Sequence, residues 1–147
     1  MSTRWARLSL ETRYENIVLA ERVLTDLLVD ARIPGDEHYW LVTAVREAIA
    51  NAMRHGHRED PSFDVLVQMA VEEDELQVEV ADEGHGFDPN DVPDPTDPEN
   101  LLRPCGRGIF YMNRFMDVVR FGTSDRGGTL VEMKKRFTDL RDKENTS

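Results

Sequence analysis

Between Leu41 and Gly56 the apolar residues recur with the period of a helix. At about 100° per residue from Leu41, the residues Val45, Ala48, Ile49 and Ala52 fall on one stripe. Glu47, Asn51 and His55 form a row along the edge of that stripe, with Glu47 and Asn51 one turn apart on a shared face. A carboxylate and an amide bordering a core face suit the wall of a cleft. Solvent-facing decoration would sit on the far side of the helix.

Upstream, Leu8 and Leu10 alternate with Ser9 and predict a short edge strand. From Thr12 to about Ala31 the pattern is helical, with Ile17, Val18, Glu21, Val23, Leu24, Leu27 and Leu28 on a broad face. Thr12 and Glu15 have the spacing of a capping box. Pro34-Gly35 ends this region, and Asp36 is placed to cap the helix that follows. Beyond a loop from His57 to Ser62, Phe63, Val65, Val67 and Met69 alternate with other residues as in a strand. The turn Glu72-Glu73-Asp74 and the alternating Leu76, Val78 and Val80 complete a hairpin.

Residues 83–107 have no clear period and hold several glycines, prolines and acids. A loop this long inside a compact domain usually has a job, often as an active-site lid. A helix with Ile109, Met112, Phe115 and Met116 on one side comes next, the methionines at core spacing. Two strands finish the fold, Val118 to Gly122 and Thr129 to Phe137, joined by the hairpin signal Asp125-Arg126-Gly127-Gly128. A charged tail occupies about 139–147. Hairpins that bury one face beneath helices predict a two-layer α/β sandwich, its other sheet face more polar or used for association.

At 147 residues the chain is read as one domain, 1–147, able to bury roughly two-thirds of its unfolded surface. A net charge of −11 argues against a sequence-independent grip on nucleic acid, because the phosphates would repel it. One cysteine, Cys105, allows neither an internal disulfide nor a thiolate-rich zinc site. Two histidines, His55 and His57, have no third metal ligand in view and read as a helix end. No signal-peptide core and no stretch near about 20 apolar residues is present, so no membrane role and a cytoplasmic location are expected.

Two glycine clusters flank the lid region. Asp82-Glu83-Gly84-His85-Gly86-Phe87 closes the second hairpin strand, and Gly106-Arg107-Gly108 opens the next helix. Glycines before a helix let backbone N–H groups approach a phosphate, although each cluster alone is also ordinary turn chemistry. The Gly-x-x-x-x-Gly-Lys-Ser/Thr run of a P-loop is absent. Glu47 and Asn51 alone read more readily as solvated helix residues.

Taken in order and spacing, these pieces resemble the Bergerat-fold (GHKL) ATP-binding superfamily of gyrase, Hsp90, histidine kinases and MutL proteins. Within it they are most similar to the serine-kinase anti-sigma factors. The stretch from Glu47 through Asn51 to Gly56 looks like the N box, and Asp82 to Phe87 like the first glycine box. Gly106 to Met112 with Phe115-Met116-Asp117 looks like the second, and Gly128-Thr129 matches the strand that touches adenine. The resemblance implies a mostly antiparallel mixed sheet with helices on one face.

It also implies roles. Asn51 would hold Mg²⁺ bridging the ATP phosphates, and Glu47 would be the base that takes the proton of the attacking hydroxyl. Asp82 would accept a hydrogen bond from the adenine amino group, with Gly84 and Gly86 passing close to the base and Thr129 supporting it. Gly106, Arg107 and Gly108 would wrap the phosphates, though Arg107 reads equally as an exposed lid residue. His55 is given no catalytic role.

Histidine kinases carry a dimerisation helix pair before this domain, and gyrase and MutL types a transducer after it; neither is expected here. The implied activity is a protein serine/threonine kinase that phosphorylates a STAS-type anti-anti-sigma antagonist and sequesters a sigma factor. A homodimer through the sheet or the first helix region is compatible with the resemblance. Two alternatives stay open: an ATP-dependent binding switch with little or no turnover, and a partner-switching kinase whose downstream target is not a sigma factor.

Overall fold

A computed structural model describes residues 3–56, 63–83, 112–125 and 127–137. Five strands form one sheet in the order β1-β2-β3-β5-β4: β1 Arg4–Glu11, β2 Asp64–Glu72, β3 Glu75–Asp82, β4 Val118–Thr123 and β5 Thr129–Arg136. All four pairings are antiparallel, and β1 lies at an edge as its short alternating pattern predicts. Among the described residues the long helices are α1, Glu15–Asp30, and α2, Gly35–Asn51, which runs on into a π-helical turn, Ala52–Gly56.

Strand alternation decides which face the helices cover. Val65, Val67, Met69 and Val71 of β2 are buried, as are Leu76, Val78, Val80 and Asp82 of β3. Because register is locked by this period of two, their partners Leu10, Val131 and Met133 turn the same way. Above them pack Leu24, Leu28, Leu41, Val45, Ile49 and Met53, all at most 1% exposed. The opposite face carries a cross-sheet row of Arg7, Gln68, Glu79, Glu132 and Arg120, the polar surface a two-layer sandwich leaves outside.

Three local expectations are corrected. Thr12 does not cap α1: the N-cap is Tyr14, and the buried Thr12 hydroxyl donates to the Phe63 carbonyl at 2.8 Å. That bond secures the end of β1 against the start of β2, a long-range use that helix-cap spacing cannot reveal. Asp36 lies inside the first turn of α2 behind the N-cap Pro34, with no side-chain cap bond. Its charge there still suits the positive end of the helix dipole. Val18, placed on the apolar face of α1, is 47% exposed, whereas Ala20 is fully buried. The stripe is therefore centred on Ile17, Ala20, Leu24, Leu27 and Leu28, narrower than a broad apolar reading suggests.

Two turns set the hairpins. Glu73 takes a left-handed φ of 54° between β2 and β3. Between β4 and β5, Gly127 takes φ 96°, the Ser124 N–H donates to the Gly128 carbonyl at 2.6 Å, and the Gly127 N–H donates to the Ser124 carbonyl at 2.9 Å. The Asp125 to Gly128 hairpin signal is thus realised, with glycine where φ is positive. Among the described residues no helix is long and apolar enough to cross a membrane.

Leu24→Ala should lower the unfolding free energy by about 2–5 kcal/mol, because it empties a fully enclosed position between the layers. Val29→Ser, at a residue 60% exposed on the same helix, should change it by no more than about 0.5 kcal/mol. Urea denaturation midpoints at constant slope check both.

Candidate functional site

The rotation of α2 is fixed by its apolar stripe. Val45, Ala48, Ile49 and Ala52 are all at most 2% exposed, as the period predicts, so the neighbouring positions on the helix are set as well. Glu47 is half-buried, and among the described residues nothing pairs with its carboxylate. Arg46, next to it, leans away instead, to the Thr43 hydroxyl at 3.4 Å and Glu21 at 3.9 Å.

Asn51 goes deeper than the edge position its spacing implies. It is 1% exposed, and its side-chain nitrogen is a buried polar atom without a hydrogen-bond partner among the described residues. Such an atom costs about 1–3 kcal/mol unless something else satisfies it. Asn51 is also the last α-helical residue before the chain widens into the π turn, and the Ala52 N–H is shared between the carbonyls of Ala48 and Ile49. Single π turns of this kind are frequent at functional sites. The turn packs against β3, whose last residue is Asp82.

Asp82 faces the helix layer with no exposed surface, and its Oδ2 accepts the Thr129 backbone N–H at 2.9 Å. Asp82 and Thr129 are far apart in sequence, yet this bond joins them directly, tying the end of β3 to the start of β5. Gly128 is what lets them meet. A Cβ built on it would overlap the Asp82 carboxylate oxygen and backbone carbonyl. Spacing assigns Gly128 to turn chemistry and the resemblance to the strand that touches adenine; the pairing of β3 with β5 adds this close approach to Asp82. The adjacent Glu83 accepts the Asp64 N–H at 2.8 Å and so secures the start of β2.

Gly84, Gly86, Gly106, Arg107, Gly108, Cys105 and His57 lie outside the described residues, as does the His55 side chain. Of the second box, the end is in view. Residues 112–115 are helical, Met112 and Met116 are buried, and Asp117 has a structural task. Its Oδ2 accepts the Arg136 N–H at 2.7 Å, Oδ1 lies 3.5 Å from the Lys135 ammonium, and its own N–H donates to the Lys134 carbonyl at 2.8 Å.

The residues present fit a nucleotide with a hard cation. Turning the Asn51 amide over exchanges nitrogen for oxygen at the same buried position, so it can present the ligand such an ion requires. Among the described residues no group of three or more His, Cys, Asp or Glu is placed to hold a metal. An ion at Asn51 would draw on phosphate and water oxygens as well, the kind of ligand Mg²⁺ takes.

Gly128→Ala should cost about 1–3 kcal/mol of stability, since the added methyl must displace the enclosed Asp82 carboxylate. Gly122→Ala, where a Cβ meets nothing within 4 Å, should be neutral to within about 0.5 kcal/mol in the same denaturation experiment.

Comparison with known proteins agrees with this fold. The family model for the histidine kinase-like ATPase domain matches residues 10–135. An anti-sigma F factor of Geobacillus stearothermophilus is 31% identical over 136 residues, covering 90% of this chain and 92% of its own. The serine-protein kinase RsbW of Bacillus subtilis is 35% identical over 112 residues, covering 72% of this chain and 69% of its own. An anti-sigma F factor of Oceanobacillus iheyensis is 27% identical over 128 residues, covering 84% and 86%. In structure, the chain is similar to a crystal structure of RsbU and RsbW domains from Mycobacterium tuberculosis, with a TM-score of 0.65 at 16% identity. That match covers 90% of this chain and 32% of the other, and shows a shared fold. The chain belongs to the histidine kinase-like ATPase domain family, in the group of anti-sigma F factors and RsbW-type serine-protein kinases.

Proposed function

We propose that this chain binds ATP with Mg²⁺ and transfers the γ-phosphoryl group to a serine of a STAS-type anti-anti-sigma protein, while sequestering a sigma factor in the alternative complex. The observation that carries this reading is the placing on α2, one turn apart, of a half-buried Glu47 and a buried Asn51, neither the Glu47 carboxylate nor the Asn51 amide nitrogen having a partner among the described residues. A carboxylate at the border of the core, with no cation beside it among the described residues, suits a proton acceptor, and binding alone does not need a base there. The names of the relatives, divided between anti-sigma F factor and serine-protein kinase, support the partner-switching role.

In this reading each residue has a distinct task. Asn51 would hold Mg²⁺, whose charge offsets that developing on the phosphate oxygens during transfer. Asp82, its Oδ2 already fixed by the Thr129 N–H, would recognise the adenine amino group, and Thr129 would support the base. Rigid placement matters because the carboxylate must discriminate by hydrogen-bond geometry. Glu47 would accept the proton of the incoming serine hydroxyl, which requires the acceptor protein to approach the solvent side of α2. Gly84 and Gly86 would pass the base, and Gly106, Arg107 and Gly108 would enclose the phosphates.

Two substitutions separate binding from transfer. Glu47→Ala should reduce γ-phosphate transfer to a purified STAS-type antagonist by roughly 10²-fold or more, with ATP affinity changed by no more than a few-fold. Asn51→Ala should weaken Mg²⁺-dependent ATP binding itself, by about tenfold or more, in calorimetric titration. Unimpaired transfer by Glu47→Ala would remove Glu47 as the base. Tight Mg²⁺–ATP binding by the wild type without transfer to any STAS candidate would replace the kinase reading with the binding switch.

A further inference from the structure

A surface aromatic contact joins the two parts of the chain that carry the N box and the end of the second glycine box. Trp40 of α2 stacks on Phe115 with ring centroids 4.5 Å apart and planes inclined by 22°. Tyr39 meets the Trp40 ring edge-on at 4.8 Å and 80°. Trp40 remains 41% exposed, so burial alone does not account for a tryptophan there.

Helical geometry gives the position its meaning. At about 100° per residue, Trp40, Glu47 and Asn51 fall within roughly 40° of one another, on one stripe of α2. Trp40 precedes Glu47 by about 10 Å along the axis, two turns away. Phe115 therefore meets α2 on the stripe that bears Glu47 and Asn51, and Gly106 to Gly108 lie four to six residues before Met112 in sequence.

Beneath the stack, the buried contacts of this segment are Met112 and Met116. Methionine is flexible and fills space without dictating an orientation. The Asp117 bonds to β5 fix where the segment passes into β4, at a point beyond the helical residues that lie over α2. Two stacked aromatic planes, with few rotatable bonds, are a rigid element that can set the segment's rotation over α2.

We propose that the Trp40–Phe115 stack is a positioning contact for the nucleotide site. It sets the segment leading out of the second glycine box against the helix bearing Glu47 and Asn51, and so sets ATP affinity. This inference rests on the ATP-binding reading above. Phe115 and Trp40 touch neither reacting atoms nor, in this account, the nucleotide.

The test uses the full chain carrying Trp5→Phe, which removes the other tryptophan at a residue 62% exposed and leaves Trp40 as sole reporter. Calorimetry with Mg²⁺–ATP should show Kd raised roughly two- to tenfold by Phe115→Ala, and by Trp40→Ala in the native background. Trp40→Phe, which keeps a stacking ring, should restore the affinity, and the double alanine variant should be no worse than the weaker single. Trp40 emission should change on saturation with Mg²⁺–ATP and lose that response in Phe115→Ala. Unchanged affinity in folded alanine variants, or ATP binding with no change in Trp40 emission, would overturn the proposal. The emission arm decides the matter even if an alanine variant fails to fold. Absence of ATP binding by the parent chain would instead overturn the ATP-binding reading on which it rests.

Discussion

The burial of one stripe of α2 against the sheet governs everything else in this molecule. Val45, Ala48, Ile49 and Ala52 have almost no exposed surface, and the strand faces beneath them are committed by their register to the same core. A helix so held cannot rotate without exposing apolar side chains, of which Val45 and Ile49 are each worth roughly 1.5–3 kcal/mol of burial. Glu47 and Asn51 inherit their directions from that constraint. The carboxylate stops at the border of the core, and the amide passes inside it, one turn later.

The same economy appears at the end of β3. Asp82 continues the alternation of Leu76, Val78 and Val80, so it must face the helices, and a carboxylate there needs partners. The Thr129 N–H supplies one, and Gly128 makes room for the approach. A single position thus closes β3 onto β5 and holds a buried acceptor in a fixed orientation. Chemistry and architecture are coupled at Asp82, as they are at Asn51.

Much of this was legible from residue order. The hairpins, the edge position of β1 and the apolar stripe of α2 follow from periods of two and of 3.6, which burial enforces. The helix-cap readings of Thr12 and Asp36 failed because local spacing cannot sense a distant partner: the Thr12 hydroxyl is taken by the Phe63 carbonyl. Val18 failed for a related reason, since a valine on α1 contributes to the core only if the layer below reaches it. The N box was visible as a polar row, but not that Asn51 would be enclosed. Gly128 was hidden most deeply, because its neighbour Asp82 is remote in sequence and adjacent only after the strands pair.

The central claim is that Asn51 and Asp82 line one nucleotide site. Heteronuclear NMR on the uniformly ¹⁵N-labelled chain observes both ends, through the Asn51 side-chain amide and the Thr129 backbone N–H bonded to Asp82. Titration with Mg²⁺–ATP should move both signals together, saturating at one stoichiometry. Calorimetrically demonstrated ATP binding that leaves both signals in place would contradict the account.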